Sequence, residues 1–177
     1  MWSYYPRNVR PMPWALELVD VVASAKTSIY TEPLPSAEAE ALTSDTVLKF
    51  LRPGMEALGY TVEAGKKADE KIRRPVLFGE NGSPSVTYEI DAFHDALGIA
   101  VEVEAGRGAM GNAEYRDIVR TSLLLDARYM VLMLPLLYRY GHASKTLAYA
   151  KTRDLFNAIY ASERLRLPFD GVLLIGY

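Results

Sequence analysis

The sequence predicts a single α/β domain: a mixed central sheet with an antiparallel hairpin, flanked by helices. Three observations predict it. Residues 86–105, "VTYEIDAFHDALGIAVEVEA", alternate around a "DALG" turn with the period of a half-buried β-hairpin. "YMVLML" (129–134) and "GVLLIG" (171–176) are continuous apolar runs, the pattern of strands covered on both faces. Helical periodicity separates these strands, which calls for crossover connections and helices over the sheet. A chain of 177 residues is long enough to bury one real core.

The elements follow in order. Residues 1–15 open with "MWSYYPRNVRPMPW", which is aromatic, proline-rich and basic, and reads as an irregular arm on the surface. Residues 16–25 fit a short helix or a strand. From Ser36 the text turns helical, with Ser36 as N-cap and Glu38 and Glu40 in the first turns. Pro53-Gly54 is expected to break or kink this region, and a second short helix stops at Gly59. Lys66–Arg74 is dense in charge, "PVLFG" is a short strand and "ENGSPS" a turn. After the hairpin, Asn112 caps a helix with Tyr115, Ile118, Val119 and Leu123 at apolar spacing. A long helix starts at Ser144 and is stopped by Pro168. The chain thus divides into an arm (1–15), a core (36–135) and a C-terminal helix and strand (143–177).

Composition narrows the function. The net charge is −2, which argues against a surface coated in positive charge and leaves room for a local basic groove. There is no cysteine, so disulfides, thiolate metal sites and cysteine nucleophiles are excluded. With two histidines, His94 and His142, a metal site would be built from carboxylates, which favours Mg²⁺, Mn²⁺ or Ca²⁺. No run approaches the roughly 18 apolar residues of a membrane span, and the start lacks a signal-peptide h-region. A cytoplasmic protein with no membrane partner is expected.

Two motifs compete in "IAVEVEAGRGAMGNAEYRDIVR". Gly106, Gly108 and Gly111 spell G-x-G-x-x-G between a strand and a helix, the form of a dinucleotide site. That site also needs an acid at the end of the next strand, and "YMVLMLPLLYRY" supplies none. The preceding strand instead carries Glu102 and Glu104 on one face. Two unpaired carboxylates under a helix would cost several kcal/mol. The glycines read better as a link.

The acids read differently. With Asp95–Gly98 as the hairpin loop, His94 pairs with Ile99, Asp91 with Glu102 and Glu89 with Glu104. Glu89, Asp91, Glu102 and Glu104 then share one face, and Tyr88, Ile90, Ala92, Val101, Val103 and Ala105 share the other. Like charges about 5 Å apart repel by roughly 3 kcal/mol at an effective dielectric of about 20. A divalent cation removes the conflict. The alternative is a solvated acidic sheet face. His94 reads as a turn residue, and Tyr138, Tyr140, Tyr149 and Tyr160 as core or interface.

The pattern "YEID", ten residues, then "EVE", followed by a helix and an apolar strand, resembles the PD-(D/E)XK nucleases, the restriction-endonuclease-like fold. The resemblance covers roughly Ser36 to Pro135. It implies a three-layer fold and a Mg²⁺- or Mn²⁺-dependent endonuclease that hydrolyses DNA phosphodiester bonds. Asp91 and Glu102 match the family's acids. Glu104 stands where the family usually has lysine, as in a Glu-x-Glu variant of some type II restriction enzymes. The resemblance implies that Asp91, Glu102 and the Val103 carbonyl hold metal, and that Glu104 is a general base or a further ligand. Glu89 and a helix acid (Glu38, Glu40 or Glu56, with Glu40 preferred) are additional candidates. Arg107, Arg116 and Arg120 would meet DNA phosphates, or pair with Glu114, Asp117 or the sheet acids. Lys66, Lys67, Lys71, Arg73 and Arg74 form a second candidate patch. A homodimer is also implied. The competing expectation is a catalytically inactive binding or assembly module on the same scaffold.

Overall fold

A computed structural model of the protein describes residues 1–29, 42–105, 112–140 and 144–177. Its centre is a six-stranded mixed sheet. The strands are β1 (Trp2–Tyr5), β2 (Thr61–Val62), β5 (Ala92–His94), β6 (Ile99–Val103), β7 (Tyr129–Leu134) and β10 (Gly171–Gly176), in the order β1-β10-β7-β6-β5-β2. β6, β7 and β10 run parallel. β1, β5 and β2 pair antiparallel at the two sides. β3 (Ile72–Phe78) and β4 (Pro84–Ile90) form a separate two-stranded ribbon, and β8 (Tyr138–Tyr140) and β9 (Ser144–Thr146) form another.

Helices cover both faces. On one, α1 (Pro13–Ser24) and α3 (Ser44–Ala57) pack Trp14, Leu18, Leu48, Leu51 and Met55 against Val101, Val103, Val131, Met133, Leu173 and Ile175. On the other, α5 (Ala148–Ser162) and Ile118 of α4 (Ala113–Ser122) pack against Met130, Leu132, Leu134, Val172 and Leu174. Two covered faces explain why β7 and β10 are apolar at every position. α2 (Lys26–Ile29) is a single turn after α1.

Several expectations are corrected. The N-terminal residues are not an irregular arm: Trp2–Tyr5 pair with β10, and Ser3, Tyr4 and Tyr5 are buried. Tyr4 joins the core under α1 and Tyr5 the core under α5, so this edge strand is covered on both sides. Of the two alternatives open for residues 16–25 the structure shows the helix, with residues 16–24 in α1 and Ala25 as its C-cap. Pro53-Gly54 does not end α3. Gly54 is instead a packing notch, since a Cβ there would lie 2.7 Å from Val21 Cγ1 of α1. Thr43 caps α3, its Oγ1 accepting from the Thr46 amide at 3.2 Å; Ser36, Glu38 and Glu40 lie outside the described residues. Ser144 begins β9, and the long helix begins at Ala148 and ends at Ser162, where Glu163 takes a left-handed conformation.

The hairpin register is as expected from His94↔Ile99 to Ala92↔Val101. It breaks at Asp91. There the chain bends, and β4 leaves the sheet to pair with β3, placing Arg73 opposite Glu89. Glu89 therefore does not pair with Glu104. The bend also separates the expected apolar face. Ala92, Val101 and Val103 pack under α3, whereas Ile90 and Tyr88 pack with Phe93, Ala100 and Leu124.

α4 is the largest inversion. Of its expected apolar positions only Ile118 is buried; Tyr115, Val119 and Leu123 are exposed, and Glu114, Asp117 and Thr121 are buried. The periodicity located the helix and misjudged which side faces in, because the surface beneath α4 is acidic.

Gly98 closes the β5–β6 turn with φ +66°, its amide donating to the His94 carbonyl at 2.8 Å. A Cβ there would stand 2.6 Å from the Asp126 carbonyl oxygen. Gly98→Ala is expected to cost about 2 kcal/mol, from left-handed backbone and the clash together. The thermal midpoint should fall by roughly 4–8 °C for a chain of this size, as read by calorimetry.

Candidate active site

Asp91 organises a cavity of about 380 Å³ at the end of β6. Its Oδ2 accepts from the Val103 amide at 2.7 Å, and its carbonyl accepts from the Glu63 amide at 2.8 Å. The side chain thus takes the place of the β5 backbone group that Val103 would otherwise bond. Glu102 projects from β6 beside it. Glu104 follows β6, held by its amide on the Met133 carbonyl (2.9 Å) and by the Tyr177 hydroxyl, which donates to its carbonyl at 2.9 Å.

The structure brings Glu89, Asp91, Glu102 and Glu104 to one cavity, as the alternation implied, but by two routes. Glu102 and Glu104 share a sheet face. Asp91 and Glu89 arrive through the bend and the ribbon. Val103 lines the same cavity. Glu56 is exposed and is not part of it. Glu40 and Arg107, together with Gly106, Gly108 and Gly111, lie outside the described residues.

Two acidic lining residues, Glu63 and Asp117, were not assigned to the site from sequence, and Lys71 was assigned only to a second phosphate patch. Glu63 follows β2, and it is buried with Oε1 at 2.5 Å from Lys71 Nζ. Lys71, expected from the sequence in a second phosphate patch, points inward between Glu63 and Glu89, the latter at 4.0 Å. Its hydrogen bond to Glu63 raises its pKa, so the ammonium stays charged. Asp117 reaches down from α4 and is 1% exposed. The i, i+3, i+7 spacing of Glu114, Asp117 and Thr121 was the available signal for a polar face turned inward.

The two helix arginines turn toward the acids. Arg116 Nη2 donates to Glu104 Oε1 at 2.6 Å, and its Nε to Asp117 Oδ1 at 3.1 Å. Arg120 Nη2 donates to the Glu89 carbonyl at 3.3 Å, with its guanidinium over the Tyr88 ring. His94 is a turn residue: its Nδ1 accepts from the Leu97 amide at 3.4 Å, and its ring meets Tyr60 edge-on. Tyr149 and Tyr160 pack in the α5 core.

Among the described residues, the cavity walls therefore carry six carboxylates (Glu63, Glu89, Asp91, Glu102, Glu104, Asp117) and three cations (Lys71, Arg116, Arg120). Burial pushes the Asp91 carboxyl up to about 7, against the pull of the Val103 amide. Burial first, and Asp91 second, raise Glu102 well above the usual carboxylate range. Burial and a hydrogen bond shared with Asp117 push Glu104 up to about 8. Each shift has the same origin: too much negative charge in too little water.

Among the described residues, no three His, Asp or Glu side chains are already arranged to hold a metal ion. Ca²⁺, which takes six to eight oxygens, is poorly matched. Mg²⁺ keeps several waters and needs one or two carboxylates, so the Asp91–Glu102 pair fits it. The excess negative charge and the raised carboxyl groups are what such an ion would relieve.

Between about pH 4 and pH 8 the folded chain holds protons on Asp91 and Glu104 that the unfolded chain has released. Stability of the metal-free protein should therefore fall as pH rises through that window. Thermal melts in chelator should show this decline, with a shallower slope for Asp91→Asn, which keeps the acceptor for Val103 and loses the charge. Added Mg²⁺ should restore stability most at the alkaline end.

The sequence matches no protein-family model and no curated protein.

Proposed function

We propose that the protein is a Mg²⁺- or Mn²⁺-dependent endonuclease that hydrolyses DNA phosphodiester bonds, built on a restriction-endonuclease-like variant of the α/β sandwich. The observation that carries this reading is the pair Asp91–Glu102, set side by side in a cavity whose acids outnumber its cations. A scaffold maintained for folding alone would pair those charges. The substrate class rests on the resemblance of Asp91 and Glu102-x-Glu104 to the nuclease motif.

Asp91, Glu102 and the Val103 carbonyl would hold the cation, with Glu89 at the rim. When bound, such an ion polarises a phosphate oxygen and makes a bound water more acidic. The chain's own residues do the remaining work. The Val103 amide fixes the Asp91 carboxylate in place. Lys71, held charged by Glu63, supplies the ammonium missing at position 104 and can orient an attacking water or a phosphate oxygen. Glu104, pushed up to about 8 in the metal-free cavity, is suited to accept a proton from that water once a bound cation has displaced its own. The Arg116 side chain is 56% exposed and can turn from Glu104 to an incoming phosphate. Hydrolysis of both DNA strands would call for two copies of this site, which makes a homodimer part of the proposal.

The inactive binding or assembly module is the second reading. The engagement of both Arg116 and Arg120 within the protein favours it.

Supercoiled plasmid with Mg²⁺ or Mn²⁺ separates the two. The nuclease reading expects nicked and linear DNA, abolished by chelator and reduced about a hundredfold or more in Asp91→Asn. Lys71→Gln should slow cleavage by a comparable factor, with Lys71→Arg retaining part of it. Intact plasmid with folded wild-type protein, under both ions, selects the binding module.

A further inference from the structure

A second cavity, of about 310 Å³, lies between α1 and the paired ends of β1 and β10. Val19 and Val22 of α1, Trp2 of β1, Ile175 of β10 and Tyr177 give it an apolar lining. Ala23 of α1 and Lys26 of α2, both exposed, form its margin. Among the described lining residues Lys26 carries the one charged side chain, and no side chain is acidic. The cavity at the end of β6 collects six carboxylates, so the two suit ligands of opposite sign.

The chain has two tryptophans, and they sit differently. Trp14 is 6% exposed in the core under α1, whereas Trp2 is 40% exposed at the second cavity. A large aromatic ring left partly in water beside an apolar hollow is surface that a bound apolar group would cover. The volume sets the size of that group. It is near the lower end of small-molecule sites, about 300 Å³, and too small for a helix or strand of another protein. Lysine lays its methylene stem on apolar surface and keeps its ammonium in water, so Lys26 offers a positive charge where the hollow meets solvent.

We propose that the second cavity binds a small amphipathic carboxylate, with its hydrocarbon body against Trp2, Val19, Val22 and Ile175 and its carboxylate on the Lys26 ammonium. The inference goes beyond the nuclease reading and stands apart from it, since it requires neither metal nor DNA. Burial of the body supplies the affinity, and the ion pair at the solvent margin selects the head group.

Octanoate, titrated while tryptophan emission is recorded, tests this. Wild-type emission is expected to shift to the blue and to saturate as the Trp2 ring leaves water. Trp2→Phe should abolish the shift, because Trp14 is already buried. Ala23→Phe, at an exposed helix position, should fill the hollow and abolish saturable binding. Lys26→Gln should weaken octanoate about fivefold, the scale of one exposed ion pair, and leave 1-octanol unchanged. A shift that does not saturate, or that survives Ala23→Phe, overturns the cavity as the site. Equal loss of octanoate and 1-octanol in Lys26→Gln, or loss of neither, overturns the carboxylate as the ligand. Calorimetric titration of Lys26→Gln, a surface change, decides the matter should Ala23→Phe fail to fold. None of these results bears on plasmid cleavage, so this inference and the nuclease reading fail separately.

Discussion

The 2.7 Å hydrogen bond from the Val103 amide to Asp91 Oδ2 is the interaction on which the architecture turns. It lets a side chain complete a sheet bond that the backbone of β5 does not make. Because that bond is satisfied, the strand can end at Ala92 and the chain can bend. Because the chain bends, β4 is free to pair with β3, and Arg73 and Lys71 come to face Glu89. The same bond buries the carboxylate beside Glu102. Structure and candidate chemistry thus share one atom, and a site built at the end of an interior strand gains the rigidity of the sheet.

The electrostatics follow from that placement. Among the described residues, acids reach one cavity from β4, β6, α4 and the segments beside β2 and β5, and cations from α4 and the residue before β3. A carboxylate near low-dielectric walls relieves repulsion in three ways: it takes a proton, pairs with a base, or shares a cation. Each appears here. Asp91 and Glu104 are raised toward neutrality, Glu63 pairs with Lys71, and Arg116 bridges Glu104 and Asp117. None removes the whole excess.

Much of this was legible in the sequence, and the failures have physical reasons. The apolar runs at 129–134 and 171–176 located the parallel strands, since strands buried on both faces have no polar positions. Alternation located the hairpin and the register at His94↔Ile99. It did not reveal the bend at Asp91, because a side chain that substitutes for a backbone acceptor leaves the periodicity unchanged. Helical spacing located α4 but assigned its buried side by hydrophobicity, which fails where the surface below is charged. Glu63 and Asp117 were missed, and Lys71 was placed in a separate patch, for a related reason. They are distant in sequence from the motif, and only the β3–β4 ribbon and the crossover to α4 bring them to it. Trp2–Tyr5 looked like a tail because four residues carry little periodic signal, yet Tyr4 and Tyr5 anchor both cores.

The pairing of the chain's two ends has a consequence for the order of assembly. β1 lies against β10, and the Met1 ammonium donates to the Gly176 carbonyl, 175 residues away. Contacts of such separation carry a large loop-closure cost and form late unless local structure precedes them. β1 can therefore take its place only once β10, far along the chain, has docked on β7. The Tyr177 hydroxyl that holds the Glu104 carbonyl directly follows β10 and comes into place with the same closure. The acidic cavity is therefore completed only when β10 docks and the sheet closes, so a partly folded chain carries the acids without the geometry that fixes them.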